Sequence, residues 1–245
     1  MDGGLRVSVL IPALDEAATI GTVLERIGAL PIDPEIIVVD DGSTDATREI
    51  VTGWLASGRS GVVIQQPHKG KGAAIRTALA HATADVCVIQ DADTEYDPAD
   101  IPQLIEPIAR GRADAVYGSR LRTHNEFGRL QLFGNRAVSL TARVLYGTTL
   151  SDIETGYKAF RTTALRALPL TEDGFGIEPE ITAWACRRDL RIEEVPISYH
   201  PRTYEDGKKI TWRDGVRALH VLTACRLRRD DSAPGWRYAR TRAVS

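Results

Sequence analysis

The alternation of apolar runs with helical patterns over the first ninety residues constrains the fold more than any other feature. Arg6 to Ile11 and Val86 to Gln90 read as buried strands, and Glu35 to Val39 and Val62 to Gln65 as the strands between them. Between them, Ala17 to Ile27, Ala46 to about Ser57 and Ala73 to Ala82 read as helices, the first with apolar residues at spacings of three and four. Strands and helices in this rhythm need crossover connections, and therefore a parallel sheet with helices on its faces. In such a sheet the ligand lies beyond the carboxyl ends of the strands. Four polar clusters fall there: Leu14-Asp15-Glu16, Asp40-Asp41, Lys69 to Gly72 and Asp91 to Glu95. Pro12 is expected to end the first strand, and Thr44 with Asp45 to cap the second helix.

The cluster Asp91-Ala92-Asp93-Thr94-Glu95 closes an apolar strand with three carboxylates in five residues. Like charges at that spacing repel unless a cation sits between them. Converging at a strand end, Asp91, Asp93 and Glu95 suit a hard divalent ion such as Mg²⁺, which takes carboxylates together with substrate phosphates. A solvated acidic loop has the same composition; the other three clusters at the same sheet edge favour a site. The loop His68-Lys69-Gly70-Lys71-Gly72 has neither Walker nor Rossmann glycine spacing. Two lysines and two glycines at a helix start can still hold a diphosphate.

Beyond this point Pro98 to Ile108 reads as a helix, Ala113 to Tyr117 as a strand, and Leu121 to Phe133 as a polar loop. Asn135 to Tyr146, Gly174 to Arg188 and Trp212 to about Arg229 read as helices, and Arg191 to Ser198 as a strand. Trp212, Val216, Leu219, Leu222 and Cys225 fall near one face of the last helix. Length suits one α/β domain over residues 1–229, with 230–245 a polar tail. Three distant cysteines, no signal-like N-terminus and no long apolar run are expected of a cytoplasmic protein. Charge is uneven: residues 186–245 hold 14 Lys/Arg against 8 Asp/Glu, and the rest 17 against 25. A basic end on an acidic body implies an anionic partner there. A phosphorylated substrate or an anionic membrane face suits it; too few aromatics interleave the charges to imply nucleic acid.

These motifs together resemble family-2 glycosyltransferases. Val9-Leu10-Ile11-Pro12-Ala13-Leu14-Asp15-Glu16 is similar to the V-x-I-P-x-x-N-E opening of that family, with Leu14 and Asp15 departing from the usual Tyr and Asn. Val38 to Asp45 matches V-V-D-D-G-S-T-D, Lys69 to Gly72 resembles the N-x-G-K-G loop, and Asp91-Ala92-Asp93 the D-x-D metal site. Gly118-Ser119-Arg120, Asn135-Arg136, Asp152 to Lys158 and Pro196 to Lys209 look like the subgroup of dolichol- and polyprenyl-phosphate sugar transferases.

The resemblance implies a GT-A-type, Rossmann-like mixed sheet, mainly parallel, in one domain. Its nucleotide-sugar half would span about 6–119 and its acceptor half about 120–229. It implies inverting transfer of a hexose from a nucleotide-diphosphate sugar (GDP-mannose, UDP-glucose or UDP-N-acetylglucosamine) to a polyprenyl phosphate, with Mg²⁺ or Mn²⁺ as cofactor. Pro12, Leu14, Glu16, Asp40, Asp41, Lys69, Lys71, Gly72, Asp91, Ala92 and Asp93 would bind the donor. Asp91, Asp93 and Glu95 would hold the metal, and Asp91, Asp93 and Arg202 would serve catalysis. Arg120, Arg136 and Arg202 would take the acceptor phosphate, as guanidinium geometry suits. A hydroxyl acceptor would instead need a base, for which Asp152 and Glu178 are the candidates. Peripheral contact with the inner membrane face and a homo-oligomer are compatible with this reading. A nucleotidyltransferase is disfavoured because Pro12 to Glu16 stands where its glycine-rich loop belongs; a non-catalytic sugar-nucleotide-binding module stays open.

Overall fold

The computed structural model describes residues 5–121, 129–202 and 212–229. Its centre is a seven-stranded sheet of order β3-β2-β1-β4-β6-β5-β7. The strands are β1 (Val7–Ala13), β2 (Glu35–Asp40), β3 (Gly61–Gln65), β4 (Val86–Ile89), β5 (Ala115–Ser119), β6 (Lys158–Arg161) and β7 (Ile192–Pro196). All pairs are parallel except those made by β6, which runs antiparallel between β4 and β5. The mixed, mainly parallel sheet expected from the sequence is therefore the one found.

Successive residues of a strand face opposite sides. In β1, Leu10 joins one core cluster while Val9 and Ile11 join the other. On the Leu10 side the cluster includes residues of α3 (Lys71–His81), α5 (Arg129–Tyr146), α6 (Thr162–Arg166), α7 (Ile177–Arg187) and α8 (Trp212–Leu227). On the other side it includes α1 (Ile20–Gly28), α2 (Thr47–Leu55) and α4 (Ile101–Ala109). Burial on both faces explains why β1, β2 and β4 are predominantly apolar rather than alternating.

Four local differences from the sequence reading have physical causes. Pro12 does not end β1. Leu10 O accepts from Gln90 N on the β4 side, so Pro12, two residues on, also faces β4, beyond the last paired residue. Its missing N–H is not needed there, and β1 continues against β2 to Ala13. Strand β6 and helix α6 carry no periodicity long enough to see; β6 exists because β4 and β5 both offer it an edge. Helix α5 starts at Arg129, inside what reads as loop, while residues 122–128 lie outside the described part. On α8, Leu222 and Cys225 pack inward, but Val216 is 57% exposed and faces away. The side chain of Trp212, the polar tail 230–245, and Lys208 and Lys209 also lie outside the described residues.

Candidate active site

The carboxyl ends of β1 and β4, the loop after β2 and the start of α3 border a cavity of about 420 Å³. Eight carboxylate side chains and four lysines or arginines line it. Pro12, Leu14, Glu16, Asp41, Lys69, Lys71, Asp91, Ala92, Asp93, Glu95, Arg120, Glu178 and Arg202 all reach it, from segments up to 190 residues apart in sequence.

Asp41, 2% exposed, organises the loop after β3. It accepts hydrogen bonds from Gln66 Nε2 (2.5 Å), Lys69 N (3.0 Å) and Gly70 N (2.7 Å), and its Oδ2 lies 2.8 Å from His68 Nδ1. Asp40 goes elsewhere. It is 1% exposed, accepts from Ser43 N at 2.9 Å and does not line the cavity. Adjacent residues at a strand end point to opposite sides, so one carboxylate of the pair faces the site and the other pins the turn. Asp45 likewise accepts from Thr47 N at 2.9 Å at the start of α2 and from Ala17 N at 3.0 Å.

Gly72 also changes role. A Cβ there would lie 2.2 Å from Glu172 O, so it is a backbone-packing glycine rather than a lining one. Gly70 has φ +116° and a Cβ there would lie 2.6 Å from Asp173 O, so a side chain is excluded twice over. These two glycines let residues 172–174 lie on the start of α3, which leaves Lys71 in the cavity.

The carboxylates after β4 do not meet at one point. Asp91 pairs with Lys71 Nζ at 2.7 Å. Asp93 accepts from Arg202 Nη2, and the same guanidinium holds Glu16 at 3.0 and 3.2 Å. Glu95 accepts from Arg202 N at 2.8 Å and from Tyr199 OH at 3.2 Å. Among the described residues no group of three His, Cys, Asp or Glu is arranged to hold a metal ion. The three-carboxylate convergence expected from the sequence is thus replaced by three separate pairings. The donor set still fits a hard cation. Burial first, then the charges of Asp91 and Glu95, push the Asp93 carboxyl up to about 7 despite Arg202. The part of that shift owed to Asp91 and Glu95 is repulsion among carboxylates, which a bound divalent ion relieves.

Behind Lys71 runs a buried charge relay. Lys71 Nζ is 3.2 Å from Glu178 Oε1, and Glu178 Oε2 accepts from Lys158 Nζ. Lys158 is wholly buried and also donates to the carbonyls of Ile153 (3.2 Å) and Thr155. Burial pushes Glu178 up, but Lys158 and then Lys71 outweigh it and hold the carboxyl below its usual range. Burial would draw the Lys71 ammonium down; Asp91 and Glu178 instead hold it well above its usual value.

Arg120 is 7% exposed, with Nε and Nη2 fixed by Asp152 at 2.7 and 2.8 Å. Asp152 is fully buried, outside the cavity lining, and also accepts from Asn135 Nδ2 at 2.9 Å. Burial raises its proton affinity, but Arg120 holds it below the usual range. As a base it is therefore corrected to the carboxylate that orients Arg120. Arg136 is exposed on α5 and does not reach the cavity, so it leaves the set of acceptor arginines gathered there. Of the eight lining carboxylates, Asp214 on α8 and Glu154 carry no sequence assignment, Glu154 lying inside the quoted run Asp152 to Lys158. Only its neighbourhood in that motif could have flagged it.

Comparison with known proteins decides the family, since the glycosyl transferase family 2 model matches residues 8–168. The chain belongs to glycosyltransferase family 2. It is 31% identical over 215 residues to an undecaprenyl-phosphate mannosyltransferase of Micrococcus luteus, covering 83% of this chain and 87% of that one. It is 32% identical over 200 residues to a dolichyl-phosphate hexose transferase of Haloferax volcanii, covering 81% and 85%. Two other Haloferax volcanii relatives are longer, and the matched region spans only 63% and 55% of them. Among solved structures, glucosyl-3-phosphoglycerate synthase of Mycobacterium tuberculosis, crystallised with Mn²⁺, UDP-glucose and phosphoglyceric acid, superposes with TM-score 0.71 at 26% identity, covering 93% of this chain and 82% of that one.

Proposed function

We propose that this family-2 chain transfers a hexosyl group, with inversion, from a nucleotide-diphosphate sugar to a polyprenyl phosphate. The observation that carries the reading is the cavity edge where Asp91, Asp93, Lys71, Arg120 and Arg202 stand together at the end of β4. The names of the two polyprenyl-phosphate relatives support the acceptor. The solved relative crystallised with Mn²⁺ and a UDP-sugar supports a sugar-nucleotide donor with Mg²⁺ or Mn²⁺.

Asp91 and Asp93 would hold the divalent ion, which when bound supplies Lewis-acid stabilisation of the leaving diphosphate. A lining with twice as many carboxylates as lysines and arginines would otherwise repel a diphosphate. Lys71, kept charged by Asp91 and Glu178, adds a fixed cation at the same end. Asp41 holds the 66–70 segment that closes the nucleoside end. Arg120 arrives pre-oriented by Asp152, so little side-chain freedom is lost when it meets a phosphate. An ionised lipid phosphate needs no general base. Asp152 and Glu178, the candidates for a hydroxyl acceptor, are both ion-paired and held in the low-affinity direction for protons.

Contact with an anionic membrane is part of this reading. Among the described residues five large hydrophobics are exposed, and four of them, Leu140, Val144, Val216 and Leu227, lie on α5 and α8. Arg136, Arg143, Arg213 and Arg226 are exposed on the same helices. No helix among the described residues is long and apolar enough to cross a membrane. The deciding assay is sugar transfer to a short polyprenyl phosphate in detergent, with UDP-glucose, UDP-N-acetylglucosamine and GDP-mannose, in Mn²⁺ or EDTA. Lipid-linked product that needs the metal is expected. Product only on soluble hydroxyl acceptors would reject the lipid reading.

A further inference from the structure

Glu154 is a lining carboxyl at the β4 end of the cavity that the mechanism above leaves unused. Its Oε1 is sealed from solvent and has no hydrogen-bond partner. The turn around it is fixed. Lys158 Nζ holds the carbonyls of Ile153 and Thr155, Thr155 Oγ1 accepts from Tyr157 N at 3.2 Å, and Tyr96 OH accepts from Gly156 N at 3.0 Å. This turn also abuts the diphosphate end of the cavity. A Cβ on Gly156 would lie 2.5 Å from Asp91 Oδ2 and 3.0 Å from Lys71 Nζ. Glu154 stands two residues before that contact, and the charges of Lys158, Glu178, Arg120 and Asp152 act on it.

Glu154 as a whole is only partly buried and lines the cavity, so a turn of its carboxyl presents either oxygen to a ligand, and a carboxyl oxygen buried without a partner is a cost that such a contact relieves. What ligand chemistry can do so follows from position. An ionised phosphate only accepts hydrogen bonds and repels a carboxylate. On the donor reading above, the nucleoside extends toward Asp41. The hexosyl group is joined directly to the diphosphate and carries several hydroxyls that donate and accept. Burial, then Glu178 against the pull of Lys158, leaves the Glu154 carboxyl at about 7, able to act in either sense near neutral pH.

We propose that Glu154 is a specificity-determining residue that hydrogen-bonds a ring hydroxyl of the transferred hexosyl group. This rests on the sugar-nucleotide reading of the cavity. A site built to bond a hydroxyl discriminates strongly against sugars that do not present one there, because its polar group is then left unpaired.

The test is calorimetric titration of the full chain in Mn²⁺ with UDP-glucose, UDP-N-acetylglucosamine, GDP-mannose, UDP and GDP. Wild type, Glu154→Ala and Glu154→Gln are compared, with thermal unfolding as the control for folding. For the sugar nucleotide that wild type binds best, Glu154→Ala should weaken affinity at least tenfold. Affinity for the matching nucleoside diphosphate should change less than twofold. Glu154→Gln, which keeps a donor and an acceptor, should fall between, and it carries the test if the alanine variant does not fold. Equal losses for sugar nucleotide and diphosphate, or no loss for either, overturn the assignment. Unchanged sugar-nucleotide binding with lost turnover and a lost limb of the pH profile also overturns it, and makes Glu154 a base. If wild type binds none of the sugar nucleotides, the donor reading falls first and this inference falls with it.

Discussion

Arg202→Ala removes a guanidinium that ties Glu16 to Asp93, with side chains 15%, 10% and 12% exposed in that order. With roughly 4 Å between charge centres and an effective dielectric of about 20, each pair is worth about 4 kcal/mol before desolvation. Desolvating three partly buried charges offsets much of this, which leaves about 2 kcal/mol for the cluster. The metal-free variant should therefore melt about 4–8 °C below wild type. Metal binding should move the other way. In wild type a divalent ion must take Asp93 from Arg202, and in the variant that competition is gone. Mn²⁺ affinity measured without substrate should rise about tenfold, or about 1.4 kcal/mol. Transfer to polyprenyl phosphate should still fall at least tenfold, because the phosphate loses its arginine, while sugar-nucleotide binding changes much less. Arg202→Lys should recover part of the transfer, since an ammonium cannot reproduce a bidentate contact. Scanning calorimetry with EDTA or Mn²⁺, metal titration and the lipid-transfer assay read the three quantities. A variant that melts lower yet binds Mn²⁺ no better than wild type would refute the competition argument.

Three further outcomes are expected. Asp93→Ala should abolish transfer while the melting temperature stays within a few degrees, because folding pushes this carboxyl up to about 7, so its ionisation costs stability at neutral pH and offsets what its pairing with Arg202 contributes; wild-type turnover in this variant would remove Asp93 from the metal site. Asp41→Ala should weaken nucleotide binding and also cost about 2–3 kcal/mol in urea unfolding, since it strips the acceptor from the 66–70 segment; an unchanged unfolding midpoint would contradict that placement. Leu140→Glu with Val144→Glu should abolish flotation with phosphatidylglycerol-rich vesicles and leave melting and transfer in detergent as in wild type; undiminished flotation would direct the membrane contact elsewhere.

How far the sequence could be read depends on what each residue answers to. Strands β1, β2 and β4 answer to burial on both faces, a local property, so they are visible as apolar runs, whereas β3 is a largely exposed edge strand with a short apolar stretch of its own. Strand β6 answers to the edges of β4 and β5, which are supplied from elsewhere in the chain, and its Lys158 is buried only because Glu178 and two carbonyls meet it. The site behaves in the same way. Motifs identify the neighbourhood, but the pleat decides that Asp41 faces the cavity and Asp40 does not. Asp152 reads as a free carboxylate until Arg120, 32 positions away, is seen to occupy it. Glu154 reads as unremarkable because its importance lies in a hydrogen bond it does not make.

The place of β6 in the sheet has a consequence for synthesis. Strand β4, whose residues Val86, Cys87, Val88 and Ile89 all show no exposure, must wait for residues 158–161 before its second edge is paired. Strand β5 is made in between, yet it joins the sheet only through β6 and β7. A nascent chain therefore carries an open, apolar edge on the ribosome for some seventy residues of elongation, about 4–14 seconds at ordinary rates. Such an edge is a template for pairing with another chain. Chains released before residue 161 should be recovered with chaperones or in aggregates, even though they already contain β1 to β5.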